Sequence, residues 1–308
     1  MLKIKNEIKK PTALALGNFD GLHGGHTSVL EAALSKAKEK DLVPAVLLFD
    51  EHPKKILFGK RPPMLMTEEM KNECFEQMGF SIVTVSFEQA KDLSPKEFLT
   101  LIKKELNVRV ICCGYDYRFG KGAAGSVETL TELCTEFGIE LFAVEEKKFD
   151  GGAISSTRIR AEIEKGNIEK ANAMLGREFS YKFEVVKGDQ RGRTLGFPTA
   201  NQFFPDDFVK PRSGVYASKV FLNNRWYPAV TNIGIRPTIG SGGFRSETCI
   251  LGFSDDLYGK ELTVYLLSFM RDECKFEGLQ QLKTAIAKDA ETATEIFKRN
   301  GNGKEAKR

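Results

Sequence analysis

Residues 13–40 read ALALGNFDGLHGGHTSVLEAALSKAKEK, and their pattern indicates the architecture of the first half of the chain. The apolar run at the start predicts a strand, which stops at Gly17 and Asn18. Apolar residues then recur at helical spacing from Leu30 to Ala37. The stretch therefore predicts a strand, a glycine-rich loop and a helix in direct succession.

The same alternation continues to about residue 145. Further strands are predicted at 43–49, 81–87, 108–114 and 139–145, with helices at 68–78, 95–106 and 127–137. Strands that alternate with helices are typical of an α/β, doubly wound parallel sheet. In such a sheet, ligands lie beyond the carboxyl ends of the strands.

The texture of the chain changes near Gly176, after a helical stretch at 158–175. From Phe179 to Met270 the segments are short, β-rich and separated by Gly, Pro, Asn and Asp turns. This part predicts an antiparallel barrel or sandwich, followed by a helix at 279–298 and a solvated tail. We therefore expect two domains, at 1–178 and 179–308.

Composition excludes several classes of protein. With 308 residues, 41% of them hydrophobic, and a net charge of +4, the chain is too weakly basic to indicate a nucleic-acid partner. No apolar window is long enough for a membrane span, and the N-terminus does not resemble a secretory signal. Six cysteines without a CxxC pair predict reduced thiols. We expect a cytoplasmic protein without a membrane partner.

The first chemical constellation is GNFDGLHGGH at 17–26, which contains His23 and His26. A helix N-terminus attracts phosphate through its free N–H groups and the positive end of its dipole. Two imidazoles there can contact phosphate oxygens and stabilise charge that builds up during phosphoryl chemistry. Two alternatives are a metal-binding pair and merely polar loop residues, and the second is the ordinary interpretation of an isolated HxxH. The metal-binding alternative lacks Cys or carboxylate partners at the usual spacing.

Two more segments have polar groups suited to a nucleotide. ISSTRIR at 154–160 precedes a helix and combines hydroxyls with arginine, although it can also be an ordinary helix cap. CGYDYRFGKG at 113–122 is not a Walker A loop. Five residues separate Gly114 from Gly120, and Gly122 stands where Ser or Thr is required.

The second constellation is GDQRGRTLGFPTAN at 188–201. Its glycines would let backbone N–H groups surround a phosphate chain, and Thr199 and Asn201 offer oxygen ligands for Mg²⁺. Glycines also occur at the corners of barrels, so they are weak indicators by themselves.

The first constellation resembles the GxFDGxHxGH motif of the nucleotidyltransferase superfamily, in its FMN adenylyltransferase branch. ISSTRIR resembles the family's ISSTxxR, while FDEHP at 49–53 and GYDYRFG resemble FDPHP and GxDFRFG, with Glu51 and Tyr117 as departures. The resemblance implies that His23 and His26 bind ATP phosphates and stabilise the transition state, with Arg160 also catalytic. The other residues that it implies in the ATP site are Gly17, Asn18, Phe19, Asp20, Ser155, Ser156 and Thr157. Those implied in the FMN and nucleotide pocket are His52, Gly114 and Asp116.

The second constellation resembles the riboflavin kinase signature GxxxGRxLGFPTAN. This resemblance implies an ATP site at Gly188, Gly192, Gly196, Pro198, Thr199 and Asn201, with Thr199 and Asn201 holding Mg²⁺. Glu247, in SETCILGFSDDLYG at 246–259, matches the base that deprotonates the ribityl hydroxyl. Arg271 matches an arginine on the flavin side of the site.

Together the two resemblances run from Leu14 to about Asp289, in the order of the bifunctional prokaryotic FAD synthetase family. They imply a nucleotidyltransferase domain followed by an antiparallel β-barrel riboflavin kinase domain with a C-terminal helix. The implied reactions convert riboflavin to FMN and FMN to FAD, with ATP as co-substrate and Mg²⁺ as metal.

Three alternatives can be distinguished from this hypothesis by sequence. Another acceptor, such as a phosphopantetheine or a phosphoalcohol, does not account for the kinase signature. If the chain were a nucleotide-binding regulator that had lost catalysis, we would expect substitutions at the catalytic positions of the motifs, and none is seen. An RNA-binding protein predicts a basic patch interleaved with aromatics, and no such patch is evident. The oligomeric state and the transfer of FMN between sites stay open.

Overall fold

The computed structural model describes residues 2–4, 8, 10–188, 196–235 and 243–300. Its contacts divide the chain into two compact units, Met1–Pro62 with Glu68–Ser156, and Pro63–Thr67 with Thr157–Arg308. The short segment joins the second unit through its backbone. The Met64 N–H donates to the Asp207 carbonyl at 2.7 Å, and the Val209 N–H donates to the Met64 carbonyl at 2.9 Å. The units are thus interleaved along the chain, and the domain boundary at residue 178 stays a prediction.

The first unit contains a six-stranded sheet. Its strands are β1 (Leu2–Ile4), β2 (Thr12–Leu16), β3 (Val43–Phe49), β4 (Ser81–Val85), β5 (Val108–Gly114) and β6 (Glu140–Val144). Their order is β1-β4-β3-β2-β5-β6, and every pair is parallel except β1 with β4. The predicted parallel α/β sheet is confirmed. The antiparallel edge strand β1 was not predicted, because its three residues have too short a pattern to recognise.

Helices connect these strands. They are α1 (Gly24–Glu39), α2 (Pro53–Phe58), α3 (Glu68–Gln77), α4 (Phe87–Ala90), α5 (Pro95–Leu106) and α6 (Val127–Phe137). Helix α5 begins at a capping box, in which the Ser94 side chain accepts from the Glu97 N–H and the Glu97 carboxylate accepts from the Ser94 N–H. Leu14 and Leu16 of β2 pack in one core with Phe98 of α5 and Leu130 of α6. A two-stranded hairpin, β7 (Lys148–Phe149) and β8 (Gly152–Ala153), follows β6.

The strand order locates the place where this sheet accepts a ligand. The chain proceeds from β2 outward to β3 and β4, and then crosses to β5 and β6 on the other side of β2. The order therefore reverses between β2 and β5. In open α/β sheets, the crevice at this reversal, outside the carboxyl ends of the strands, is the ligand site.

Two helices, α7 (Ser156–Lys165) and α8 (Ile168–Leu175), replace the single helix that the sequence predicts at 158–175. Gly166 separates them because its φ of +84° lies in the left-handed region. A Cβ at this position would lie 3.2 Å from Arg212 and 3.3 Å from Phe269. Both the turn and the close packing therefore require glycine, and the helical pattern is interrupted there.

The rest of the second unit is an antiparallel, nearly closed barrel. Its strands are β9 (Phe179–Glu184), β10 (Ala200–Phe203), β11 (Gly214–Leu222), β12 (Arg225–Ile235), β13 (Phe244–Ile250) and β14 (Glu261–Arg271). Their order is β10-β13-β12-β11-β14-β9. Just beyond β9, the Val186 N–H donates to the Asn201 carbonyl of β10 at 2.8 Å and draws the two edges together. The predicted barrel is confirmed, and β10 is an addition, since the sequence indicated only a glycine-rich loop there.

The C-terminal helix α9 (Leu279–Arg299) packs on the outside of this barrel. Ala293 and Phe297 of α9 share a core with Val215 and Ala217 of β11. Outward-facing residues of β11 are therefore covered by α9. The predicted C-terminal helix is confirmed.

Gln202 links strands inside the barrel. Its side chain is fully buried, and Nε2 donates to the Phe183 carbonyl of β9 at 2.7 Å and to the Leu262 carbonyl of β14 at 2.8 Å. Replacing Gln202 with alanine leaves two buried carbonyls without this donor. We expect Gln202→Ala to lower the free energy of unfolding by about 2–4 kcal/mol, as measured by urea denaturation. The exposed Gln280→Ala serves as control, and an equal effect in both variants would contradict the assignment.

The described residues contain neither a disulfide nor a helix suited to crossing a membrane. The six cysteines are free thiols. In the part of the chain that the structure describes, no helix combines the length and the apolar character needed to cross a membrane.

Candidate active sites

The turn after β2 has an unusual backbone. Phe19, Gly21 and Leu22 have φ values of +50°, +77° and +44°. Non-glycine residues seldom adopt this region, and such conformations cluster at functional sites. Phe19 is fully buried, with its ring 5.5 Å from His26 and 5.7 Å from Phe75. Its side chain therefore supports the site by packing, and its predicted place in the ATP site stays a prediction.

The two histidines lie together at the start of α1. His23 is the N-cap of the helix, and its Nδ1 accepts a hydrogen bond from the His26 backbone N–H at 3.4 Å. The two rings are stacked, with centroids 3.7 Å apart and planes inclined by 14°. Asn18 is exposed, whereas Gly17 and Asp20 are partly buried. The structure thus places two imidazoles beside free N–H groups at a helix N-terminus, beside the crevice where the strand order reverses.

Burial and nearby positive charge shape the electrostatics of this pair. Burial is the main reason why the pKa of His26 lies well below its usual value, and the charges of His23 and Lys71 lower it further. Lys71 of α3 is 9% exposed and forms an ion pair with Glu68 at 2.6 Å. Nδ1 of His26 is buried without a hydrogen-bond partner among the described atoms. An anion beside the imidazoles would interact favourably with the charges of His23 and Lys71, so this site is suited to phosphate.

The lowered pKa leads to a test. Unfolding restores the ordinary pKa of His26, near 6.5, so the unfolded chain takes up a proton at a higher pH than the folded protein does. The contribution of His26 to the free energy of unfolding is therefore fully present above pH 6.5 and is lost as the pH falls from there through the pKa of the folded protein. We expect the His26 ring to stay neutral at pH 6.5 in NMR titrations of the imidazole nitrogens. Adding ATP should raise this pKa because the phosphates favour the charged ring. A titration midpoint of 6.5 or higher in the free protein would contradict the burial argument.

The motif at 154–160 has residues in both units. The Ser156 Oγ donates to the Asp20 carbonyl at 2.9 Å, which ties the beginning of α7 to the turn after β2. Ser155 is partly buried beside it in sequence. Thr157 is exposed, and Arg160 is buried, with its Nε donating to the Pro63 carbonyl at 2.5 Å. The structure brings Ser156 to the predicted site, and it shows Arg160 bonded to the 63–67 segment.

The predicted FMN and nucleotide pocket draws on strands next to β2. His52 follows β3 and is the N-cap of α2, with Nδ1 accepting from the Lys54 N–H at 3.1 Å. Gly114 ends β5, and the exposed Asp116 follows two residues later. A Cβ at Gly114 would lie 3.2 Å from the Asp116 carboxylate. Because β3, β2 and β5 are adjacent, their carboxyl ends bring these groups to the same edge as the histidine pair.

The second unit contains a cavity of about 330 Å³. Among its lining residues are Pro198, Thr199 and Asn201 from the predicted kinase motif. The lining also includes Ile250 and residues 253–258, among them Asp255, Asp256 and Tyr258. Gly192 lies outside the described residues. Gly196 has a φ of +84°. The cavity is large enough for part of a nucleotide and has hydroxyl and amide oxygens in its wall.

Asn201 is held tightly at this cavity. It is 6% exposed, and its Nδ2 donates to the Thr199 carbonyl at 3.3 Å. A Cβ at Gly188 would lie 2.6–2.7 Å from the Asn201 amide group, so a side chain at position 188 would displace this amide. The amide nitrogen therefore faces Thr199. The pair offers hard oxygen donors of the kind that Mg²⁺ takes together with phosphate oxygens.

Glu247 lies in a row of side chains that runs from strand to strand along one face of the barrel. On β13 it is directly opposite Asn201 of β10 and directly opposite Asn232 of β12. Directly opposite residues of antiparallel strands point to the same face. Arg245, two residues earlier on the same face, forms an ion pair with the Glu247 carboxylate at 3.3 Å. The predicted base thus lies one strand away from the predicted metal ligand.

Arg271 lies at the other end of this row. Val215 of β11 is opposite Asn232 on one side and opposite Arg271 on the other. The Arg271 guanidinium forms two hydrogen bonds to the Asp289 carboxylate of α9, at 3.0 and 2.6 Å, and this raises the pKa of Arg271. The arginine predicted on the flavin side is therefore held by the C-terminal helix, two strands beyond Asn232.

Several residues at these sites were not predicted. Lys71 and Asp289 belong to predicted helices, Asn232 belongs to the β-rich part of the chain, and Asp255 lies in the 246–259 segment, from which only Glu247 was predicted. The burial of a lysine in a helix cannot be predicted from the spacing of apolar residues. Pairing between Asn232 and Glu247 depends on strand register, which single-sequence patterns do not specify.

Comparison with known proteins agrees with this arrangement. The family described as FAD synthetase matches residues 5–158, and the family described as riboflavin kinase matches residues 175–297. A bifunctional riboflavin kinase/FMN adenylyltransferase from Bacillus subtilis is 36% identical, covering 96% of this chain and 95% of the relative. Its counterpart from Escherichia coli K12 is 34% identical, covering 92% of each chain.

A solved structure shares the whole fold. A Streptococcus pneumoniae protein described as a macrolide-efflux protein superposes with a TM-score of 0.85 at 31% identity, covering 95% of this chain and 96% of that one. The matches to both families and to full-length relatives together cover the two constellations. The chain belongs to the bifunctional riboflavin kinase/FMN adenylyltransferase family.

Proposed function

We propose that this chain phosphorylates riboflavin to FMN at the Glu247 site and adenylylates FMN to FAD at the His23 and His26 site. The observation that carries the proposal is the cross-strand row that places Glu247 beside Asn201. A carboxylate one strand away from the proposed metal ligand suits the transfer of phosphate to a hydroxyl, which needs a base within reach of the acceptor and a positioned phosphate. The histidine pair at the helix N-terminus supports the second reaction.

In the kinase reaction, the acceptor is the terminal hydroxyl of the ribityl chain. Its oxygen attacks the γ-phosphorus of ATP, the bond between that phosphorus and the bridging oxygen breaks, and ADP leaves. The hydroxyl proton passes to the Glu247 carboxylate. Arg245 holds this carboxylate by its ion pair at 3.3 Å and thereby orients the base.

In the adenylyl transfer, a phosphate oxygen of FMN attacks the α-phosphorus of ATP. The bond from that phosphorus to the bridging oxygen breaks, and pyrophosphate leaves. No side chain becomes a nucleophile. His23 and His26 stabilise the charge that accumulates on the phosphate oxygens in the transition state, assisted by the N–H groups at the beginning of α1.

Thr199 and Asn201 are the residues that would hold Mg²⁺ at the kinase site. Their hydroxyl and amide oxygens match the preference of this ion, and the close fit of Asn201 against Gly188 keeps the donor set in place. When bound, Mg²⁺ neutralises charge on the phosphates. A cytoplasmic location and the lack of nucleic-acid or membrane partners remain predictions from the sequence.

The direct test is to incubate the purified protein with riboflavin, ATP and Mg²⁺ and to separate the flavins chromatographically over time. A parallel reaction starts from FMN. We expect FMN to appear before FAD in the first reaction and FAD to form in the second. FMN that never becomes FAD would refute the adenylyl assignment, and the lack of any product would refute both.

A further inference from the structure

The two neighbours of Glu247 in the cross-strand row differ in their surroundings. Asn201, which lines the cavity, is on one side of the carboxylate, and Asn232 is on the other. Because the phosphate donor belongs on the Asn201 side, the rest of the acceptor must extend away from it, across Asn232. Arg271 lies two strands further in the same direction. Between Asn232 and Arg271, however, Val215 of β11 is buried under α9, so a path for the acceptor along this face is limited to Glu247 and Asn232.

The amide of Asn232 is hydrogen-bonded at its nitrogen but, within the described part of the chain, has no donor at its oxygen. Its Nδ2 donates to the Glu273 carboxylate at 3.0 Å. Since a carboxylate only accepts, this bond orients the amide with its nitrogen toward Glu273. Its Oδ1 is buried and has no hydrogen-bond partner among the described atoms. A buried acceptor without a donor is unusual in a folded protein. A ligand hydroxyl that reaches β12 would supply the missing hydrogen.

The spacing indicates which part of the acceptor supplies it. Neighbouring strands are about 4.8 Å apart, which is comparable with the reach of roughly three carbon–carbon bonds. When the terminal hydroxyl of a ribityl chain lies at Glu247, the inner carbons of the chain pass Asn232. Each of those carbons carries a secondary hydroxyl that can donate a hydrogen bond.

We propose that Oδ1 of Asn232 accepts a hydrogen bond from a secondary hydroxyl of the ribityl chain, and that Asn232 thereby selects polyhydroxylated acceptors. This inference rests on the proposed kinase function of the Glu247 site. Glu273 acts through Asn232 as a positioning residue, because its carboxylate fixes the orientation of the amide. A Cβ at Gly234 would lie 3.0 Å from the Glu273 carboxylate, so β12 leaves room for Glu273 at that point.

The test compares two acceptors in the full-length protein. One is riboflavin, and the other is a flavin with a 5-hydroxypentyl chain, which keeps the terminal hydroxyl and lacks the secondary ones. For Asn232→Ala we expect kcat/KM with riboflavin to fall about ten- to hundredfold. With the hydroxypentyl flavin it should change little. The exposed Asn300→Ala at the end of α9 is the control and should leave both values unchanged.

A purely structural role for Asn232 predicts a different result. It would lower kcat/KM for both acceptors by the same factor, and that outcome would overturn the proposal. Asn232→Thr, which suits a strand and keeps an oxygen acceptor, should recover part of the preference for riboflavin, and it replaces the alanine variant if that variant does not fold. Failure of the wild-type protein to phosphorylate riboflavin would refute the kinase function itself, so the two failures are distinguishable.

Discussion

His26→Ala is expected to lower the rate of FAD formation from FMN about 10²–10³-fold, with riboflavin phosphorylation unchanged. The imidazole stacks on His23 with 3.7 Å between ring centroids, and both rings lie at the N-terminus of α1. Removing it takes away a group that stabilises charge on the transferred phosphate. The kinase residues belong to the other unit of the chain, so their reaction serves as an internal measure of folding. Both rates can be followed chromatographically with one preparation.

Two further variants make this result specific. Glu31→Ala, on the exposed side of α1, should leave both activities intact. His26→Gln keeps much of the side-chain volume but cannot carry positive charge, so it should resemble His26→Ala. If His26→Ala removed both activities from a folded protein, the assignment of separate sites would be wrong.

Glu247→Gln should have the converse effect. We expect riboflavin phosphorylation to fall about 10²–10⁴-fold, because glutamine cannot accept the proton of the ribityl hydroxyl. FAD formation should persist when FMN is supplied. The substitution also leaves Arg245 beside a neutral partner, in place of the present ion pair at 3.3 Å. Denaturation curves should accompany the kinetics, since a buried charge that loses its partner destabilises the fold.

The matched control is Glu184→Gln, an exposed glutamate at the end of β9. It makes the same chemical change on a strand of the same barrel and should preserve kinase activity. Normal phosphorylation in Glu247→Gln would show that another group takes the proton. Loss of FAD formation from FMN in that variant would instead indicate general unfolding.

Much of the fold could be predicted because local patterns agree with the tertiary structure. The strand Val108–Gly114 and the helix Pro95–Leu106 have the bounds that periodicity indicated. Strand β10 was missed because it follows a glycine-rich segment and has only four residues. The break between α7 and α8 was missed because a single glycine inside a helical pattern is often tolerated.

The candidate sites divide in a similar way. His23, His26 and Thr199 could be proposed because they occur in compact motifs whose residues are close in sequence. Asn232 could not, because it meets Glu247 only through the pairing of β12 with β13. Lys71 approaches the histidines only because α3 packs near the turn after β2, where Phe75 contacts Phe19.

By itself, the sequence determined the alternation of strands and helices, the antiparallel second part and the two short motifs, since each depends on residues near one another along the chain. Tertiary structure alone decided the reversal of strand order beside the histidine pair, the burial that lowers the pKa of His26, and the row from Asn201 through Glu247 to Asn232. These features depend on strand register and on packing between distant segments. Such contacts form only when the whole chain has folded, so they cannot be predicted from the local periodicity of the sequence.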